Sequence, residues 1–168
     1  ERGLAESREQ AQRLIGAGKV RVAGQPAVKC GHKYDTGAAI EVEEPQRFVS
    51  RGGEKLEGAF SSFDLDVNGL ICLDVGASTG GFTDCLLQHG AAKVYAIDVG
   101  KGLLHWKLRN DPRVVVMEKI NARYIVPESL PEKPAVAVID VSFISLTKIL
   151  PAVTNVVAKG AVIVTLIK

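Results

Sequence analysis

Apolar and polar positions alternate with two different periods along this chain, and the change of period divides it. In the first stretch Ala11, Leu14 and Ile15 recur at i, i+3 and i+4, the spacing of one helical face. Ser7 stands ahead of them as an N-cap, with Gln10 three residues later in a capping-box arrangement. Gly16 and Gly18 stop the helix. Lys19-Val20-Arg21-Val22 alternates charged and apolar residues, as a half-buried strand does. Ala23-Gly24-Gln25-Pro26 predicts a turn, 27–29 a return strand, Asp35-Thr36-Gly37 a second turn and 39–42 a short last strand. The sum is a helix-plus-hairpin module with a modest core, leaving through Glu43-Glu44-Pro45-Gln46.

A glycine-containing link, Arg47 to Gly53, precedes a predicted helix from Glu54 to Phe63 with Leu56, Ala59 and Phe60 on one side. From Leu70 the pattern becomes β-α alternation. Strands are predicted over 70–75, 93–98, 114–118, 135–140 and 161–167, helices over 80–89, 102–109 and 145–157, and mostly loop over 120–134. Apolar runs without strict alternation suit a parallel sheet buried on both faces. The predicted fold is therefore α/β, a Rossmann-like, mostly parallel, doubly wound sheet preceded by a small α+β module. The domain reading is 1–45, a link over 46–53, and 54–168. A first residue other than Met, and an end at Lys168 directly after a strand-like run, are read as the ends of a fragment.

Composition changes this picture little. The 168 residues are 46% hydrophobic and 24% charged, as in ordinary globular domains. No apolar run reaches the ~18 residues that span a bilayer, and no signal peptide is recognisable, so no membrane partner is expected. Cys30, Cys72 and Cys85 form no C-x-x-C pair, which argues against a zinc site and for a reducing cytoplasm. His32, His89 and His105 are scattered, and no metal is expected. Charge is more informative: residues 1–33 carry seven Lys/Arg against three Glu, and residues 34–60 carry three against six acids. A basic amino-terminal module suggests a polyanion at that end.

The candidate chemistry lies at strand ends. Leu73-Asp74-Val75-Gly76-Ala77-Ser78-Thr79-Gly80-Gly81-Phe82-Thr83 reads as a strand, a glycine-rich turn and a helix start. Its Gly-x-x-x-Gly-Gly spacing is looser than the G-x-G-x-x-G of dinucleotide enzymes. It leaves room for the amino-acid end of S-adenosylmethionine, whose carboxylate helix amides near Gly80 can hold. Asp98 ends the next strand, where an acid accepts hydrogen bonds from ribose hydroxyls. Asn121 follows the third strand, where an amide can pair with an adenine edge. Asp140 ends the fourth strand, Lys168 the fifth, and Lys55 lies on the entering helix. A carboxylate with two lysines can activate a hydroxyl, one lysine serving as the neutral amine if a low-dielectric cleft favours that form. The bland alternatives are a structural glycine turn, a turn asparagine and a surface Lys55, and Trp106 reads as helix packing rather than a stacking platform.

These residues resemble the TlyA ("hemolysin A") family, which joins an S4 RNA-binding domain to an FtsJ-like methyltransferase. The S4 resemblance rests on Ser7-Arg8-x-x-Ala11, Gly18-Lys19-Val20-x-Val22 and Asp35-x-Gly37…Ile40-x-Val42, with Ala23 where such domains usually have Asn. The second part rests on Val49-Ser50-Arg51-Gly52-Gly53-x-Lys55-Leu56, the loop from Asp74 to Thr83, Asp98-Val99-Gly100, Asp111-Pro112-Arg113-Val114, Asn121-Ala122-Arg123 and Asp140 to Leu146. Lys101-Gly102-Leu103 departs from the pattern.

The resemblance implies an RNA face at Arg8, Arg13, Lys19, Arg21 and Lys33. It implies a cofactor site at Asp74, Gly76, Ser78, Thr79, Gly80, Gly81, Phe82, Asp98, Val99, Asn121 and Asp140. Lys55, Asp140 and Lys168 match three members of a Lys-Asp-Lys-Glu tetrad. The implied reaction is S-adenosylmethionine-dependent methylation of a ribose 2′-hydroxyl, with cytidines of ribosomal RNA in ribosomal subunits as the expected targets. Three other readings stand beside it: a non-catalytic RNA-binding protein with a vestigial cofactor fold, a membrane-acting hemolysin, and a nicotinamide-dependent oxidoreductase.

Overall fold

A computed structural model describes residues 2–5, 7–43 and 46–168. The chain forms two compact units, Glu1–Pro45 and Gln46–Lys168. Glu44 and Pro45, part of the expected exit, lie outside the described residues.

In the first unit α1 spans Arg8–Gly16, and the Ser7 hydroxyl accepts from the Gln10 amide at 3.1 Å. Strands β1 (Val20–Val22), β2 (Gln25–Pro26) and β3 (Ile40–Val42) form an antiparallel sheet in the order β2-β1-β3. Val20 and Val22 point to the interior and Arg21 to solvent, the period-two alternation of a half-buried strand. The hairpin is tighter than predicted. Ala23 and Gly24, both in the left-handed backbone region at φ 51° and 76°, make a two-residue turn whose twist matches the right-handed twist of the strands. Pairing therefore resumes at Gln25; the Ala27 amide makes one more bond across the hairpin, to the Val20 carbonyl at 2.8 Å, but residues 27–29 form no strand.

The second unit begins within the expected link. Phe48 is buried, and the space beside it is so tight that a Cβ on Gly53 would lie 2.2 Å from its ring. Helix α2 starts at Gly52, two residues before its predicted start, and runs to Ser62. Strands β4 (Ile71–Val75), β5 (Lys93–Asp98), β6 (Val114–Glu118), β7 (Val136–Ile139) and β8 (Val162–Thr165) form a five-stranded sheet in the order β6-β5-β4-β7-β8, and every pairing is parallel. Helices α3 (Gly81–Gln88), α4 (Trp106–Arg109) and α5 (Leu146–Val156) complete it. Side chains on a strand alternate between faces, so Cys72, Val94, Ala96 and Val138 join a core with Leu56, Phe82 and Leu86. Leu73, Val75, Tyr95, Ile97 and Ile139 join the other, with Ile149 and Val153 of α5.

Register then fixes the site. Val75 pairs with both Ile97 and Ile139. The residues after them, Gly76, Asp98 and Asp140, therefore leave the sheet at one level. Chain order reverses between β4 and β7, the switch point where open α/β sheets hold ligands.

Two further expectations fail. Helix α4 is four residues long, not eight, because Gly102 takes a left-handed φ of 71° and breaks the run. Trp106 is not packed; it is exposed, while Leu104 and Leu108 supply the buried face.

Candidate active site

The turn after β4 closes by backbone hydrogen bonds from Gly76 and Ala77 to the Ile97 carbonyl, at 2.9 and 3.0 Å. Gly76 has φ 84°, and a Cβ there would sit 2.5 Å from the Asp140 carbonyl oxygen. Only glycine fits this close approach of two strand ends. Ser78 is also left-handed, at φ 50°, and its amide donates to Asp98 Oδ2 at 2.8 Å. The Gly100 amide donates to Asp98 Oδ1 at 2.7 Å. Asp98 thus ties the glycine loop to its own strand end and keeps lone pairs on both oxygens, since a carboxylate accepts about four hydrogen bonds.

Two cavities meet at this point. The larger, about 490 Å³, is lined by Gly76, Ser78, Asp98, Val99 and Asn121 together with apolar Ile97, Leu103, Ile120, Ile144 and Ile149. The smaller, about 280 Å³, is lined by Ser50, Lys55, Thr79, Gly81, Phe82 and Lys168. Gly76, Ser78, Asp140 and Ser142 belong to both.

Asp140 is the junction. Its Oδ2 lies 3.6 Å from the Lys55 ammonium, and its Oδ1 pairs with Lys168. That second pair has no hydrogen-bond alignment; the Lys168 ammonium donates instead to the Ser142 hydroxyl at 2.9 Å. One carboxylate therefore gathers two cations from elements far apart in sequence. The Lys55 and Lys168 side chains are 49% and 42% exposed, so they stand at a water-accessible rim rather than in the enclosed low-dielectric cleft expected.

The predicted residues do not all face the crevice. Asp74 is fully buried behind the loop, lines neither cavity, and accepts from the Thr83 hydroxyl at 2.6 Å. Burial pushes its pKa up to about 7, with Asp140 and Asp98 adding repulsion against the hydrogen bonds from Thr83. Its Oδ1 has no hydrogen-bond partner among the described residues. Gly80 is likewise a packing residue. Its φ is 96°, and a Cβ there would meet Leu108 and Leu104 at 2.3 and 2.8 Å. Asn121 lines the larger cavity, but its side-chain oxygen caps the following turn by accepting from the Arg123 amide at 3.1 Å.

Ser142 and Ser50 went unpredicted. Their sequence signal is their place in the stretches 49–56 and 140–146 that carry the resemblance, beside the glycine pair at 52–53 and Asp140.

In the first unit Arg8, Arg13, Arg21 and Lys33 are exposed and Lys19 is half-buried. None of the five forms an ion pair among the described residues, and the Arg21 guanidinium donates to the Gly24 carbonyl at 3.2 Å.

A mixed donor cluster also departs from the expectation of scattered histidines. Glu57, Cys85 and His89 bring ligand atoms within 4.8 Å of one another. They satisfy each other: His89 bonds Glu57 at 2.7 Å and the Cys85 thiol donates to Glu57 at 3.7 Å, while Arg47 holds the other Glu57 oxygen. The His89 hydrogen bond keeps the Glu57 pKa low, and burial pushes the Cys85 thiol up to about 12.

A parallel sheet with a glycine turn, a strand-end acid and a charged cluster at its switch point defines a Rossmann-like protein, and the family match makes its class that of the methyltransferases. Residues 48–168 match the FtsJ-like methyltransferase model, and residues 1–40 match the S4 domain model. The chain belongs to the FtsJ-like methyltransferases and, within them, to the TlyA family that carries an S4 domain. It is 54% identical over 169 residues to the 16S/23S rRNA (cytidine-2′-O)-methyltransferase TlyA of Mycobacterium tuberculosis, a match covering 99% of this chain and 63% of that protein. It is 52% identical to Hemolysin A of Brachyspira hyodysenteriae, over 99% of this chain and 70% of the relative. A solved chain from Streptococcus thermophilus, described provisionally as a hemolysin, superposes with a TM-score of 0.73 at 50% identity, over 99% of this chain and 62% of that one.

Proposed function

We propose that the protein transfers a methyl group from S-adenosylmethionine to a ribose 2′-hydroxyl of ribosomal RNA, with cytidine as the target nucleoside and a ribosomal subunit as its bearer. The pairing of Lys55 and Lys168 on Asp140, where the two cavities meet, carries this reading. It accords with the activity in the name of the mycobacterial relative. Work on ribosomal RNA makes the cytoplasm the natural location.

The crevice fits the cofactor by chemistry and by room. About 490 Å³ with an apolar lining and few polar groups suits an adenosine. Asp98 retains acceptor capacity for ribose hydroxyls, and Asn121 keeps its amide N–H₂ for a base edge. Gly76 and Ser78 supply backbone at close approach, and Thr79, Gly81 and Phe82 line the polar cavity beside it. Asp74 and Gly80 support the loop from behind. Bound S-adenosylmethionine would supply an electrophilic methyl group at the junction.

This chain's own groups handle the hydroxyl. Asp140 holds both lysines within reach of one point, with Ser142 fixing the Lys168 ammonium. The Lys168 ammonium gives up a proton to the water at this rim and takes the hydroxyl proton in its place as the 2′ oxygen bonds to the methyl carbon, whose bond to the cofactor's sulfur would break. Lys55 remains cationic and stabilises the negative charge that develops on that oxygen. In the first unit, the exposed Arg8, Arg13, Arg21 and Lys33, with Lys19, meet backbone phosphates and carry no base readout.

The test is methyl transfer by the full-length protein to purified ribosomal subunits, with the product nucleoside identified. The expected product is a 2′-O-methylated cytidine, and Asp140→Ala should lower the rate by about 10²–10⁴-fold. Label on a base, or wild-type activity in Asp140→Ala, would refute the assignment.

A further inference from the structure

Trp106 is the chain's single tryptophan, and it is 72% exposed on α4. An aromatic ring of this size carries some 150–250 Å² of largely apolar surface, which a folded protein ordinarily buries. The ring is not out in water through slackness of its support. Leu104 and Leu108 are buried on either side of it in sequence and press against the Gly80 position. The His105 amide donates to the Thr79 carbonyl at 3.1 Å, and the Asn110 side chain donates to the Trp106 carbonyl at 2.8 Å. The indole is thus presented by a turn moored directly to the glycine loop.

Its surroundings indicate a partner. Val99 and Leu103 are 69% and 48% exposed, and both line the larger cavity. Exposed apolar residues therefore lead, along the sequence, from the cavity wall to Trp106. Residues 99–113 also carry Lys101, Lys107, Arg109 and Arg113; Arg109 is tied to Glu118 and Arg113 to Asp111, while Lys107, its side chain 61% exposed, lies 3.8 Å from Asp84 and Lys101 is exposed with no ion pair among the described residues. An exposed aromatic face with lysines close by in the chain is a way proteins hold unpaired nucleotides: a base stacks on the ring and the adjoining phosphates meet the ammonium groups.

We propose that Trp106, flanked by Lys101 and Lys107, is an RNA contact of the methyltransferase unit, stacking on an unpaired nucleotide near the one that enters the crevice. This rests on the RNA reading above and adds to it a second contact surface, separate from the basic residues of the first unit.

The test uses full-length protein and the unpaired rRNA segment that contains the mapped target. RNA affinity is measured across salt concentrations, and S-adenosylmethionine affinity is measured by calorimetry. Trp106→Ala should weaken RNA binding on the order of tenfold, and Trp106→Phe should restore most of it. Both should leave cofactor affinity unchanged. The slope of log affinity against log salt should stay constant in Trp106→Ala and fall by about one in Lys101→Ala. Unaltered RNA affinity in Trp106→Ala would overturn the proposal. So would a joint fall in cofactor affinity and melting temperature, which would make the indole a structural prop. A wild-type dimer that becomes monomeric in Trp106→Ala would also overturn it, by making the occupant a second copy. Wild-type protein that methylates no RNA would instead defeat the RNA reading itself.

Discussion

Gly76 and Gly80 lie four residues apart in one loop, both with left-handed φ, 84° and 96°, yet they meet different demands. Gly76 is on the front, lining both cavities, and its missing side chain lets the loop lie against the Asp140 backbone. Gly80 is on the back, where Leu104 and Leu108 fill the space a side chain would need. The acids divide in the same way. Asp98 faces the crevice with oxygens to spare, whereas Asp74 is sealed behind the loop and bonded to Thr83. A glycine-rich loop is thus two structures in one sequence, a surface for a ligand and a wedge between packed helices.

The sharpest way to break this comparison is at Gly81, which lines the smaller cavity and is also wedged between two helices. Gly81 stands where α3 meets the start of α2, and a Cβ there would lie 2.7 Å from the Gly53 nitrogen and 2.9 Å from the Gly52 Cα. Backbone cannot step aside as a flexible side-chain tip can. Gly81→Val should therefore cost about 3 kcal/mol or more of stability, read as a large fall in urea midpoint or as insoluble protein. A near-normal midpoint would mean that the two helices slide apart at little cost, and packing would lose its part in requiring glycine here.

On the front the cost should move from folding to binding. Asp98→Ala removes the acceptor assigned to ribose hydroxyls, and hydrogen bonds to a charged group are worth about 1.5–3 kcal/mol. Calorimetry on the full-length protein should show S-adenosylmethionine binding weakened by about 10–100-fold, with a much smaller loss of stability than in Gly81→Val. An unchanged dissociation constant would remove Asp98 from the site.

The five strands of the second unit were legible because each is an apolar run whose ends fall at a charged or glycine residue, as at Asp98 and Asp140. The acids that end those strands could be assigned to one crevice because parallel register aligns strand ends. Facing could not be read: Asp74 and Asp98 both neighbour glycine turns, and only the alternation of β4 against α3 turns Asp74 inward. Lys55 looked like a surface lysine because its partner, Asp140, is distant in sequence and only the folded chain brings the two together. Trp106 was misread because a helix predicted over 102–109 gave it an inner face, and Gly102 removes the first turn of that helix. In the first unit, the turn at Ala23-Gly24 takes left-handed geometry at an alanine, a choice that the residue itself does not advertise.

The finest test of the two-sided loop is a pH dependence with a fixed sign. Asp74 has a folded-state pKa near 7, raised by burial from its ordinary 3.8. Between those values the folded state holds a proton that the unfolded chain has released, so wild-type stability falls as pH rises through that window and levels off above it. Even one unit of such a shift is worth about 1.4 kcal/mol. Asp74→Asn keeps the shape and a partner for Thr83 but cannot ionise. Its stability relative to wild type should therefore grow by about 1 kcal/mol or more between pH 4.5 and 7.5, followed by urea unfolding, while its S-adenosylmethionine affinity at pH 7 stays within a few-fold. A pH-independent difference would mean that the sealed carboxylate is ionised throughout. A large loss of cofactor affinity would move Asp74 from the back of the loop to the front.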